Sequence, residues 1–119
     1  KVEWIPWTGE NRIYSMVENR PDWCLSRQRY WGVPLPVFYC RDCRHELLNA
    51  DIIRTIGKFM LKDGSDVWFA KSAEELLPRG TKCSKCGGST FAKETDIIDV
   101  WFDSGVSHYA VLEKRKELT

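Results

Sequence analysis

Four cysteines raise the first chemical question. They stand as two C-x-x-C pairs, Cys40/Cys43 and Cys83/Cys86, with 39 residues between the pairs. Two residues between cysteines let both thiolates face one cation around a tight turn. Two such knuckles facing each other supply four sulfurs in a tetrahedron, which suits Zn²⁺. Four sulfurs close the coordination sphere and leave no position for water, so the ion's expected role is structural. Arg41, Arg44, Lys82 and Lys85 flank the sulfurs and favour thiolates electrostatically. Gly87 and Gly88 allow the positive φ that such turns often need. Two reduced structural pairs and a redox C-x-x-C are the competing readings, and two pairs at knuckle positions weigh against both. His45 reads as a partly solvated strand residue. Cys24 makes the count five, against a closed disulfide framework. It lies in an apolar stretch and is expected to be a buried small residue.

Two further groups of residues could do chemistry. Arg27 and Arg29 are two apart, so on a strand they share a face, and Trp23 and Trp31 stand close by. Such a surface could contact phosphate or a nucleic-acid end. The preferred reading is that the arginines pair with Asp22 or Glu18 and organise the core. The second group is Trp101, Asp103 and Ser104. Trp101 falls near the C-terminal end of a β-prone run, where open α/β folds bind ligands. Asp103 and Ser104 either fix a loop beside a substrate or form an Asx turn.

These residues need elements to hold them. A strand is expected over Val2–Ile5 and a short helix over Asn11–Asn19, stopped by Pro21. Trp23–Ser26 reads as a strand, 27–32 as a basic aromatic turn, and Pro34 and Pro36 as an extended link. Strands flank the first knuckle at 37–40 and 45–48. From Ala50 to Lys62, Ile52, Ile53, Ile56, Phe59 and Met60 mark one helix face, with Asn49 as N-cap and Asp63-Gly64 as the stop. Lys58-Phe59-Met60-Leu61-Lys62 belongs to that helix, Phe59 and Met60 facing the core. Val67-Trp68-Phe69 is a strand candidate. Ser72 to Glu75 fits a capping box opening a second helix before Pro78. Ser89–Lys93 reads as a strand, Ile97–Phe102 as a buried strand into a turn at 103–105, and 108–118 as a frayed helix. Trp4, Trp7 and Trp68 carry no evident chemistry, and packing is their default.

Composition bounds the function. The chain has 119 residues, 43% of them apolar and 29% charged, and a net charge of +1. This is a globular composition, neither the basic profile of a nucleic-acid coat nor an acidic tail. No apolar run reaches membrane-span length, and the first residues have no secretory h-region.

The stretch Arg20-Pro21-Asp22-Trp23-Cys24-Leu25-Ser26-Arg27-Gln28-Arg29-Tyr30-Trp31-Gly32-Val33-Pro34-Leu35-Pro36, followed by Asp96-Ile97-Ile98-Asp99-Val100-Trp101-Phe102-Asp103-Ser104-Gly105, closely resembles the catalytic region of class I aminoacyl-tRNA synthetases of the isoleucine/valine/leucine group. The D-V-W-F-D-S-G run resembles the isoleucine branch; valine enzymes usually carry Thr-Trp-Phe-Ser-Ser there, so Asp103 argues against the valine and leucine branches. The resemblance implies an α/β fold, part of a Rossmann-type catalytic core interrupted by a zinc-ribbon-like insertion with two short helices. Residues 1–36 would follow an editing insertion, 37–93 form the zinc-ribbon-like part, and 94–119 return to the core. It implies ATP, isoleucine and its tRNA as partners, an acyl-adenylate intermediate, a cytoplasmic monomer, and Trp101 against the isoleucine side chain. Arg27 and Arg29 become candidates for phosphate or the tRNA acceptor end. The family's H-x-G-H and K-M-S-K-S signatures are not in this stretch, so it is expected to be an internal segment without adenylation activity of its own. Val106 stands where the family usually has Ser or Thr. The alternative from another class is a free-standing zinc-ribbon module that binds nucleic acid or protein.

Overall fold

The computed structural model describes residues 2–118. Helix α1 (Gly9–Glu18) ends where Asn19 turns its side chain back to the Ser15 carbonyl, two residues before Pro21. Its apolar residues Ile13, Met16 and Val17 are exposed, and it buries no residue. Val2–Ile5 is not a strand. Among the described residues no strand pairs with its backbone, and without a ladder partner an extended segment is not a strand.

Strand β1 (Ser26–Arg27) pairs antiparallel with β5 (Ile97–Ile98). The link between β1 and the next sheet is laid along β5: Ile98 N–H donates to the Val33 carbonyl at 2.7 Å, and Leu35 N–H to the Asp96 carbonyl at 3.1 Å. Gly32 is required here, because its φ is 149° and a Cβ would collide with the Ile97 side chain.

The second sheet has the order β3-β2-β4, built from β2 (Phe38–Cys40), β3 (Glu46–Leu47) and β4 (Phe91–Lys93), all antiparallel. Between β3 and β4 lies α2 (Ala50–Asp63). Asn49 caps it by accepting from Ile52 N–H at 2.9 Å, and Gly64 at φ 81° ends it. Two short helices follow, α3 (Val67–Ala70) and α4 (Ala73–Leu76). The Ser72/Glu75 capping box is formed in both directions, at 2.8 and 3.4 Å. The 67–69 segment is therefore helical where a strand was expected. Local β-propensity is overridden because Trp68 fills the core: its ring meets Phe38 edge-on at 5.1 Å and its Nε1 donates to the Glu94 carbonyl at 3.1 Å. The Lys93 ammonium closes this corner on the Trp68 and Lys71 carbonyls.

The main apolar cluster is drawn entirely from residues 38–91, with Phe38, Ile52, Ile56, Trp68, Leu76 and Phe91 at its centre. Phe59 and Met60 pack against it, as their helical spacing requires. After β5 the chain turns into α5 (Val100–Ser107), then a π-helical turn at His108–Leu112 and a 3₁₀ turn at Lys116–Leu118. The expected strand over 97–102 is thus two residues long. Asp99 stops it, by accepting the Trp101 N–H at 3.1 Å and so capping a helix.

Candidate metal centre and a junction cleft

The two knuckles are built alike. In the first, Cys40 N–H donates to the His45 carbonyl and Arg44 N–H returns to the Cys40 carbonyl, each at 2.9 Å. In the second, Cys83 N–H donates to the Gly88 carbonyl and Gly87 N–H returns to the Cys83 carbonyl, each at 2.8 Å. The fifth position of each turn is left-handed: Arg44 at φ 60° and Gly87 at φ 77°. Gly88 serves differently from the expectation of positive φ; a Cβ there would collide with the Asp42 carboxylate.

This geometry converges four sulfurs. Cys40 and Cys86 Sγ are 3.5 Å apart, Cys43 and Cys83 Sγ 3.6 Å, and all four lie within 4.8 Å of one another. A tetrahedron with ~2.3 Å metal–sulfur bonds has edges of about 3.8 Å. A disulfide needs about 2.0 Å, so these are thiols gathered without being bonded. Their close approach also pushes the thiol pKa values apart electrostatically. The Cys86 backbone N–H, with other hydrogen bonds, draws Cys83 down to about 6. Cys86 goes the opposite way, up to about 12: the Gly88 N–H pulls it down, but the Cys43 and Cys40 thiols and burial outweigh that pull. Ionising one sulfur hinders its neighbours, and a bound divalent cation removes the conflict. The four cysteines can hold a metal ion. His45 is half-buried and stands outside this sulfur cluster.

The other candidates meet at the β1/β5 junction. Arg27 makes the ion pair favoured from sequence, but with Asp99, not Asp22 or Glu18. Antiparallel pairing brings the start of α5 beside β1, which sequence-local partners cannot match. Arg27 also donates to the Cys24 and Ser26 carbonyls, both at 2.7 Å. Asp99 is buried and accepts a further bond from Trp23 Nε1 at 3.1 Å. Its carboxyl is held below the ordinary range, first by the Trp101 N–H, then by Trp23 and by Arg27 and Arg29. Sequence reading assigned no role to Asp99 or to the Trp23 indole N–H. The available signal was one carboxylate inside an otherwise apolar run.

A cleft of about 430 Å³ opens at this junction, lined by Arg27, Arg29, Trp31, Phe69, Val100 and Asp103 among others. Trp101 and Ser104 do not line it. Trp101 occupies the first turn of α5 and is 73% exposed, so it follows a strand end instead of standing on one. Asp103 and Ser104 are helical, which replaces the expected turn. Cys24 is exposed, against expectation, while its neighbours Trp23 and Leu25 take the contacts to Phe102 and Asp99; the Ser26 side chain and then its backbone lower its thiol pKa. Trp7 is also exposed, whereas Trp68 is sealed.

The whole chain, residues 1–119, matches the family model described as tRNA synthetases class I (I, L, M and V). The chain belongs to that family. It is 57% identical over 117 residues to the isoleucine–tRNA ligase of Syntrophomonas wolfei subsp. wolfei, covering 98% of this chain and 13% of that protein. It is 58% identical over 118 residues to the ligase of the same name from Moorella thermoacetica, covering 99% of this chain and 13% of the relative. With that of Aquifex pyrophilus it shares 59% over 114 residues, 94% of this chain and 22% of the relative. The chain therefore spans about an eighth of the length of the first curated relatives it matches.

Proposed function

We propose that the chain is a catalytic-region segment of a ligase that activates isoleucine with ATP and passes the acyl group to its tRNA. The observation that carries this reading is the family match over every residue, with relatives named for isoleucine. Asp103 in D-V-W-F-D-S-G supports isoleucine over valine or leucine. Residues 1–36 and 94–119 belong to a Rossmann-type core of a monomeric cytoplasmic enzyme, and 37–93 is a zinc-ribbon-like insertion. Confinement of the main apolar cluster to residues 38–91 supports that division.

The four-thiolate set suits zinc, which when bound neutralises the sulfurs and ties β2 to the second knuckle. Cys40, Cys43, Cys83 and Cys86 hold it. Trp101 forms an apolar wall for the branched side chain, removing its surface from water at about 25 cal/mol per Å². Such a wall separates isoleucine from valine by only ~1–3 kcal/mol, which is why editing accompanies this chemistry. Asp103, with Ser104 beside it in α5, faces the substrate from the helix that borders the cleft. Arg29 is exposed at the cleft and suited to a phosphate of ATP or the tRNA end, while Arg27 is engaged by Asp99. A free-standing zinc-ribbon module draws on the same confined core, but leaves the exposed aromatics of both flanks without a purpose.

The test is ATP–pyrophosphate exchange by the full-length protein with isoleucine, valine, leucine and methionine. Isoleucine is expected to support exchange about a hundredfold better than valine. Exchange supported by another amino acid as well as or better than by isoleucine, or by none, overturns the reading.

A further inference from the structure

We propose that Asp99 is a positioning residue for the amino-acid pocket, acting through the backbone of Trp101. The inference rests on the reading of Trp101 as the isoleucine wall. Among the described residues, no hydrogen bond or ring contact reaches the Trp101 indole, and α5 buries none of its residues. The direction of that indole is therefore set by where the first turn of α5 points.

That turn hangs from Asp99. Its Oδ1 accepts the Trp101 N–H at 3.1 Å, and its carbonyl accepts the Phe102 N–H at 2.8 Å. The other end of the residue is fixed to the β1 segment. Oδ2 receives Trp23 Nε1 and the Arg27 guanidinium, and the Asp99 N–H donates to the Leu25 carbonyl at 2.8 Å. The Trp23 ring then meets Phe102 at 6.4 Å. An ordinary N-cap is solvated and tied only to its own helix. This one is a buried carboxylate bolted to a distant strand, so the helix start cannot shift without breaking a half-buried ion pair and the Trp23 bond. Arg27 and Trp23 thereby become supports of the same pocket wall.

The test uses the full-length ligase and the isoleucine and ATP dependence of pyrophosphate exchange in Asp99→Ala, Asp99→Asn, Trp101→Ala and the two double variants. Asp99→Ala is expected to raise the KM for isoleucine about tenfold and that for ATP less than about twofold. Asp99→Asn retains an acceptor for the Trp101 N–H and is expected to raise the isoleucine KM only about threefold. If Asp99 acts through the indole, neither change adds to Trp101→Ala. Additive effects, equal shifts in both KM values, or an unchanged isoleucine KM in both folded Asp99 variants overturn the proposal. Where Asp99→Ala does not fold, Asp99→Asn alone and with Trp101→Ala decides it. A raised isoleucine KM in Trp101→Ala with none in the Asp99 variants sinks only this inference. No effect of Trp101→Ala sinks the pocket reading and this one with it.

Discussion

Two regions of this molecule use the same residue types to opposite ends. Between residues 38 and 93, Trp68 is sealed at 1% exposure and two knuckles close the sheet. On either side, Trp31 is 92% exposed, Trp101 73% and Trp7 73%. The first region carries its own reasons for folding: a continuous apolar cluster and a sulfur cluster that a cation can lock. The flanks hold their shape by a two-stranded pairing and a half-buried ion pair. Large aromatic surface left in water stabilises nothing where it stands, so its worth lies in what it meets.

The sharpest way to break this contrast is to deny the four thiols the cation they can hold. Cys40→Ser with Cys83→Ser, or chelation, is expected to remove a contribution of roughly 10–16 kcal/mol and unfold the 38–93 region. Hydrogen exchange would show lost protection in β2 and β4; unchanged protection and melting would refute the four-thiolate lock. The next test compares two tryptophans. Trp68→Ala is expected to cost about 3–5 kcal/mol, by emptying the site against Phe38 and freeing the Glu94 carbonyl. Trp31→Ala in this same chain is expected to stay within ~0.5 kcal/mol. Denaturant midpoints measure both, and equal losses would erase the distinction between the regions.

The smallest effect is a pH dependence. Burial raises the Glu94 carboxyl, but the Asp96 and Thr95 N–H groups and the Tyr39 hydroxyl more than offset it, so its pKa is lowered. A lowered folded value gives stability above the unfolded value of about 4.3, lost as pH falls through the folded one. The melting-temperature gap between wild type and Glu94→Gln is therefore expected to narrow on acidification. Comparing the two at each pH cancels any effect of protonating the four thiols that is common to both. A gap that widens would reverse the assignment.

Much of the 38–93 region was legible because its signals are local. A C-x-x-C pair, an Asn N-cap, a Ser-x-x-Glu box and apolar spacing along α2 each act within one or two turns of chain. Several misreadings depend on distant partners, whereas the 97–105 misreading turned on the local Asp99 cap. Val67–Phe69 has strand-forming residues, but the pocket beside Phe38 receives Trp68 from a helix. Cys24 sits among apolar neighbours, yet nothing covers it. Val2–Ile5 found no partner strand.

The sequence by itself determined the sulfur site, the family and helices α1, α2 and α4, since spacing and capping are properties of neighbouring residues. Only the tertiary structure decided that Asp99 ends β5, caps α5 and takes Arg27 from its local acidic neighbours. A buried charge accepts whichever partner the folded chain brings within reach once water has been excluded.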